Sequence, residues 1–461
     1  MGKKKISVSD SMGSVKIPAD ALYQAQTQRA LDNFKISPLR LPPILITALA
    51  LIKQSCATIN GDLGKLDRAH AQAIASAAAA IAEGQHADQF PIDVFQTGSG
   101  TSSNMNLNEV IATLATDDGL TVDPNDHVNM GQSSNDVFPS AIHIAASLGV
   151  HEALLPAIQT LESALARRIE QHHDTIKTGR THLMDAMPIS LAQEMSAWAS
   201  QLKSDRYRIQ TSLTRLQQLA IGGTAVGTGI NTSDDFGTRV CEQLTAASGI
   251  RFRQMENLFE GLSTQNTALE LSGQLRVLAT SLTKICNDLR WMNSGPLSGL
   301  GEISLKALQP GSSIMPAKVN PVIPEAVLMV AAQVNGNDTT IAQAASAGNF
   351  QLNVMLPVIA YNLLQSIDIL ANACFHLAGV IDDFTVNQQI MSQNLARNPI
   401  LVTALNPIIG YRRAAEIAKQ ALRQNRPILD VAVEMTEIDE ARLKALLDPG
   451  KLARNDPEKP E

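Results

Sequence analysis

Between Leu271 and Leu289 the apolar side chains fall at Leu271, Leu275, Leu278, Leu282, Ile285 and Leu289, in steps of 4, 3, 4, 3 and 4 residues. Only an α-helix gathers such a series on one face, and the alternation of four and three is the seam of a helix lying nearly parallel to its neighbours. A second stripe runs through Leu191, Met195, Trp198 and Leu202 and, after one gap, through Ile209, Leu213 and Leu216. A third joins Leu363, Leu364, Ile367, Leu370, Ala371, Cys374 and Leu377. At about 1.5 Å per residue, a helix from Leu191 to Ala220 would be about 45 Å long, longer than a small domain is wide. Three such rods bury only part of their faces within one chain. The pattern therefore predicts a bundle pooled among chains, most simply a homotetramer, with a monomeric bundle as the alternative.

Aromatic residues make up only 3% of the chain, and helical spacing holds across most of it, so the fold is expected to be all-α in the main. With 461 residues and 44% apolar content the chain can form two or three domains. Breaks at Pro124, from Gly222 to Gly229 and from Gly295 to Gly311 mark loops. This reading gives a mixed N-terminal region at 1–140, a long-helix core at 141–395 and a small tail at 396–461 that is helical to Asp448 and frayed from Pro449.

A formal net charge of -7 argues against a nucleic-acid surface, so an anionic ligand must meet locally placed cations. Cys56, Cys241, Cys286 and Cys374 are far apart and form no C-x-x-C pair. They read as reduced, buried thiols, with no metal or cofactor expected. The start, MGKKKISVSD, is basic without an apolar run behind it, and Ile6 stands where a myristoylation motif needs Ser or Thr. The small apolar run from Ala73 to Ala82 is interrupted by Ser76 and is too short for a bilayer. These features predict a soluble, cytoplasmic protein without a membrane partner.

Four stretches concentrate glycine, hydroxyls and amides with little apolar periodicity: Gly98 to Asn106 (GSGTSSNMN), Gln132 to Asp136 (QSSND), Gly179 to Leu183 (GRTHL) and Gly311 to Pro321 (GSSIMPAKVNP). Such density suits a small, oxygen-rich ligand, because each carboxylate oxygen accepts several hydrogen bonds. Helix capping explains the first two stretches equally well when each is taken alone. It does not explain the fourth, where two serines, a lysine and an asparagine follow a loop carrying Gly295, Gly299 and Gly301, as in a mobile lid.

The fourth stretch resembles the GSSxMxxKxN signature of the fumarase/aspartase superfamily, whose members cleave a C-N or C-O bond beside a carboxylate and release fumarate. The resemblance runs from DSMG at Asp10 and AQTQR at Ala25 to NPIIG at Asn406. Within the superfamily the chain is most similar to class II fumarases, in Gly98 to Asn106, in Ser133 to Asp136 and in GGTAVGTG from Gly222. Aspartases typically carry Thr where this chain has Ser134. Two positions depart from the fumarase pattern. Ala317 stands where Gly is common, and with Pro321 to Glu325 (PVIPE) it is closer to aspartases. Asp123 opens a loop that often begins with His in the family.

The resemblance implies a three-domain fumarase/aspartase-like fold with a homotetrameric 20-helix core and active sites shared by three chains. It implies reversible hydration of fumarate to L-malate without a metal. Ser312 would be the base, and His182, hydrogen-bonded to Glu325, would act through a water on the departing hydroxyl. Lys318, Val319 and Asn320 would hold one substrate carboxylate, with Ser99, Gly100, Thr101, Ser133, Ser134, Asn135, Thr181 and Ser313 binding the rest. A second dicarboxylate loop would fall at Asp123, Pro124, Asn125 and Asp126, where the Asp123 charge opposes an anion. The alternatives are an aspartate ammonia-lyase, a structural protein that keeps a lyase fold without activity, and a monomeric scaffold with exposed apolar stripes.

Overall fold

Burial settles which face each stripe presents: Leu271, Leu275, Leu278, Leu282, Ile285 and Leu289 are all fully buried. In the computed structural model, which describes residues 5–454, the three stripes belong to helices Leu191–Leu216, Asn266–Met292 and Leu356–Asp383. The first ends short of Ala220 because Gln218–Leu219 instead pairs with Arg253–Gln254. A fourth long helix, Val322–Ala345, follows the lysine-bearing stretch directly. The segment Ser134–Gln171 is also helical throughout, its Ser134–Gly149 and Leu155–Gln171 parts joined by a π-type turn at Val150–Leu154. Among the described residues strands occur only in two-stranded pairs, the largest being the hairpins Lys5–Asp10 with Gly13–Pro18 and Ile176–Thr181 with Met184–Ser190. The fold is thus all-α in the main, as the spacing predicts.

The chain divides into two compact units. The first comprises Met1–Pro156, Asp205–Ala279 and Val330–Asn372. Its core includes the helix Pro43–Asp62, which packs on Arg68–Ala82, Ser134–Gly149 and Phe236–Ser248 and buries Leu45, Leu49 and Ile52 completely. The second comprises Ala157–Ser204, Thr280–Met329 and Ala373–Glu461. Here Trp198 is fully buried and donates to Asp288 Oδ2 at 3.1 Å. A separate apolar cluster in this unit joins Leu401, Leu405, Ile417, Val431 and Leu443.

Two expectations need correction. The chain does not fray at Pro449: Pro449–Ala453 is a helix whose N-cap, Asp448, accepts from the N–H groups of Gly450 and Lys451. An Asp N-cap followed by Pro at the first helical position is a helix start, because Pro lacks only an N–H that would be unpaired there anyway. Residues beyond 454, like the basic Met1 to Lys4, lie outside the described residues. The apolar run at Ala73 was also the wrong segment to weigh against a bilayer. Pro43–Asp62, Ser134–Gln171 and Leu356–Asp383 are each long and apolar enough to cross one, although more than half of each apolar window is buried within the protein.

Candidate functional site

In the first unit, three polar stretches remote in sequence converge. The helix Thr101–Ala115 starts from Gly100, whose φ of 75° is left-handed. A Cβ there would lie 2.1 Å from Phe138 Cδ2, and one at Gly98 would lie 1.8 Å from the Val354 carbonyl oxygen. Both glycines are thus required by close backbone approach. At the start of the helix, the Ser99 and Thr101 hydroxyls share a hydrogen bond of 2.7 Å. The second stretch begins the helix Ser134–Gly149. Ser133 is its N-cap in a capping box, with the Ser133 N–H donating to Asp136 Oδ1 at 2.9 Å. Capping and convergence therefore coexist here.

Asp136 also joins the third stretch. Its Oδ2 accepts from the N–H groups of Gly222 and Thr224 at 3.0 and 2.9 Å, while Asn135 Nδ2 donates to the Ala225 carbonyl at 2.8 Å. Burial pushes the Asp136 carboxyl up to about 6, against the pull of these N–H groups and of Lys53. Burial likewise pushes the Lys53 amine down to about 7. Asn104 Nδ2 donates to Ser134 Oγ at 3.1 Å, linking the first turns of the two helices.

The second unit carries the remaining predicted catalytic and substrate-binding residues. Gly311 to Asn320 form a loop closed at its base, where Gly311 N–H donates to the Lys318 carbonyl at 2.9 Å and Asn320 Nδ2 donates to the Gly311 carbonyl at 2.6 Å. Ser312 Oγ accepts from the N–H groups of Ile314 and Met315 at 3.2 and 3.0 Å. Two donors aimed at one hydroxyl oxygen stabilise negative charge on it. Ser313, Lys318 and Val319 are exposed, and Ala317 has a φ of 66°. That left-handed backbone explains why glycine suits this position.

His182 occupies the exposed tip of the hairpin Ile176–Thr181 and Met184–Ser190, where Thr181 faces Met184 and both His182 and Leu183 have positive φ. Glu325 is exposed in the first turn of Val322–Ala345. Among the described residues the side chains of His182, Glu325 and Lys318 make no hydrogen bond or ion pair, so the expected His182–Glu325 bond is not formed within one chain. A cavity of about 410 Å³ places Lys318, Asn320 and Glu325 beside Asn287, Arg290 and Trp291.

Asp123 answers the question posed by its charge. Its Oδ1 accepts from the N–H groups of Asn125 and Asp126 at 2.7 and 2.8 Å, capping the turn Pro124–Val128. The donors that an incoming carboxylate would use at this turn are already occupied by the chain's own carboxylate.

Asn104 and Asp136 lie in stretches that the sequence singles out, whereas Lys53, Arg290 and the bonds from Asp136 to Gly222 and Thr224 were not anticipated. For Asp136 a signal existed, since Ser133-x-x-Asp136 has the spacing of a capping box. A buried ion-pair cluster behind the His182 hairpin was also missed. Glu302, with no exposed surface, pairs with Lys177 at 2.9 Å and Arg180 at 2.8 Å.

Comparison with known proteins identifies the family. Residues 13–336 match the Lyase family, and residues 401–454 match the fumarase C C-terminus. A class II fumarate hydratase of Pseudomonas aeruginosa is 57% identical over 96% of this chain and 97% of its own length. One from Mycobacterium tuberculosis is 53% identical over 92% of this chain and 90% of its own. The crystal structure of class II fumarase from Schistosoma mansoni superposes with a TM-score of 0.95 at 36% identity, covering 98% of this chain and 99% of that one. From its motifs, its fold and these relatives together, the chain belongs to the class II fumarate hydratase family of lyases.

Proposed function

We propose that the chain is a hydro-lyase that interconverts fumarate and L-malate stereospecifically, as in the tricarboxylic acid cycle, with Ser312, His182 and Glu325 as its catalytic residues. The observation that carries the mechanism is the loop around Ser312, whose Oγ receives two backbone N–H groups. A serine hydroxyl is ordinarily too weakly acidic to lose its proton, and these donors favour the alkoxide that removes the proton beside the malate carboxylate. The charge of the resulting intermediate spreads onto that carboxylate, held by Lys318, Val319 and Asn320. His182, oriented by Glu325, passes a proton through a water to the departing hydroxide. Each turnover thus yields fumarate and water with no metal or cofactor taking part. Ser99, Gly100, Thr101, Ser133, Ser134, Asn135, Thr181 and Ser313 bind the rest of the substrate.

We assign the chain to a cytoplasmic homotetramer with three chains contributing to each site, and to domains at 1–140, 141–395 and 396–461. Supporting the oligomer are the exposed Tyr207, Trp291, Met329 and Phe375 on long helices, and the lack, among the described residues, of an in-chain partner for His182 and Glu325. The match of residues 401–454 to a separate C-terminal family supports the last domain. The turn Asp123, Pro124, Asn125 and Asp126 takes dicarboxylates only weakly. Aspartate ammonia-lyase is the second reading, favoured only by Ala317 and its neighbours.

The roles are tested with Ser312→Ala and His182→Asn. Each should lower kcat by orders of magnitude while light scattering still reports a tetramer. Near-wild-type turnover in either variant overturns that residue's role.

A further inference from the structure

Ser134 is 8% exposed, and among the described residues its hydroxyl has one hydrogen-bond partner, the Asn104 carboxamide. Which end of that amide faces Ser134 follows from a chain of part-buried contacts anchored on the backbone. Asn129 Nδ2 donates to the Gln132 carbonyl at 3.2 Å, and a carbonyl can only accept, so Asn129 Oδ1 must face the other way. That oxygen accepts from Asn104 Nδ2 at 3.2 Å, Asn108 Nδ2 at 3.1 Å and Lys53 Nζ at 3.0 Å. Turning the Asn104 amide over would set oxygen against oxygen. Its NH2 group therefore faces both Asn129 and Ser134, and each hydrogen has an acceptor.

We propose that Asn104 is a positioning residue that commits the Ser134 hydroxyl to donate its hydrogen outward, into the substrate site. A hydroxyl whose hydrogen is free to donate suits an oxygen with lone pairs, such as a carboxylate or hydroxyl. The anchor of buried Lys53 and half-buried Asn129 holds this choice in place from behind. The inference rests on the reading that Ser134 touches substrate.

The test is a double-mutant cycle on L-malate turnover. Ser134→Ala should raise KM about 10- to 100-fold, the loss of one hydrogen bond to a charged group. Asn104→Ala and the near-isosteric Asn104→Asp, which turns the hydroxyl inward, should each raise KM similarly, with kcat changed less. Ser134→Ala combined with Asn104→Ala should be no worse than Ser134→Ala alone. Additive losses, or Asn104 variants with wild-type KM beside an impaired Ser134→Ala, overturn the inference alone. A wild-type KM in Ser134→Ala removes Ser134 from the substrate and overturns both the inference and that part of the site. Asn104→Asp keeps the question open to measurement if Asn104→Ala fails to fold.

Discussion

Replacing Gly100 by alanine separates two reasons for a glycine at the start of the Thr101–Ala115 helix. The new Cβ would stand 2.1 Å from Phe138 Cδ2 and 2.4 Å from both Cε2 and Cγ, whereas carbon atoms in contact sit at about 3.5 to 4 Å. Phe138 is fully buried and has nowhere to turn. Overpacking of this kind costs about 1 to 3 kcal/mol. The left-handed φ of 75° adds about 1 to 2 kcal/mol for a residue with a Cβ, so the variant should lose about 2 to 5 kcal/mol. For a cooperative chain of this length that lowers Tm by about 2 to 5 °C. Relief of the clash also displaces Ser99 and Thr101, and a shift of about 1 Å in binding groups costs about 100-fold in kcat/KM. Gly64 is the control, since it shares a positive φ of 66° but has no atom within 4 Å of a built Cβ. Gly64→Ala should show the backbone cost alone, about 1 to 2 kcal/mol, with wild-type kinetics. Thermal unfolding and fumarate absorbance measure both quantities. Equal Tm losses in the two variants, or wild-type kcat/KM in Gly100→Ala, would refute the packing argument.

Lys318→Ala should chiefly raise the KM for L-malate, because its ammonium is assigned to a substrate carboxylate; an unchanged KM would remove that assignment. Ala317→Gly relieves a left-handed residue worth about 1 kcal/mol but adds unfolded-chain entropy worth about 0.4 to 1 kcal/mol, so Tm should barely move while the loop exchanges amide hydrogens faster. A large Tm change would contradict the φ at this site. The four cysteines are buried, and burial raises the thiols of Cys56, Cys241 and Cys286, the latter two to about 12. A thiol reagent at pH 8 should therefore find almost none reactive in the native protein and all four in denaturant. Asp123→His removes the carboxylate that caps its own turn, and calorimetry with the active site blocked should show stronger dicarboxylate binding there. No change would mean that Asp123 is not what closes the turn to anions.

The helices most legible in the sequence were those whose apolar side chains meet neighbours along a single seam, as in Leu271 to Leu289. Val322–Ala345 escaped notice because Asn337 and Asp338 interrupt its apolar face. Those groups find polar partners: Asn337 donates to Ser366 Oγ, and Asp338 accepts from Ser272. Ser134–Gln171 was obscured by Pro139 and Pro156, which usually interrupt helices, here carried in a run that changes register through a π-type turn. Of the proposed site, the sequence displayed the residues with unusual chemistry, Ser312, His182 and Lys318. It concealed those that act by burial. Asn104 reads as one more polar residue of a helix start, and Lys53 as an ordinary surface charge, until the fold closes over them.

The most direct test of the central claim is the absorbance of fumarate formed by the purified protein when L-malate and L-aspartate are offered in parallel, with and without a chelator. The account predicts fumarate from malate alone, at an unchanged rate after chelation. Fumarate from aspartate, or activity lost with the metal, would contradict it.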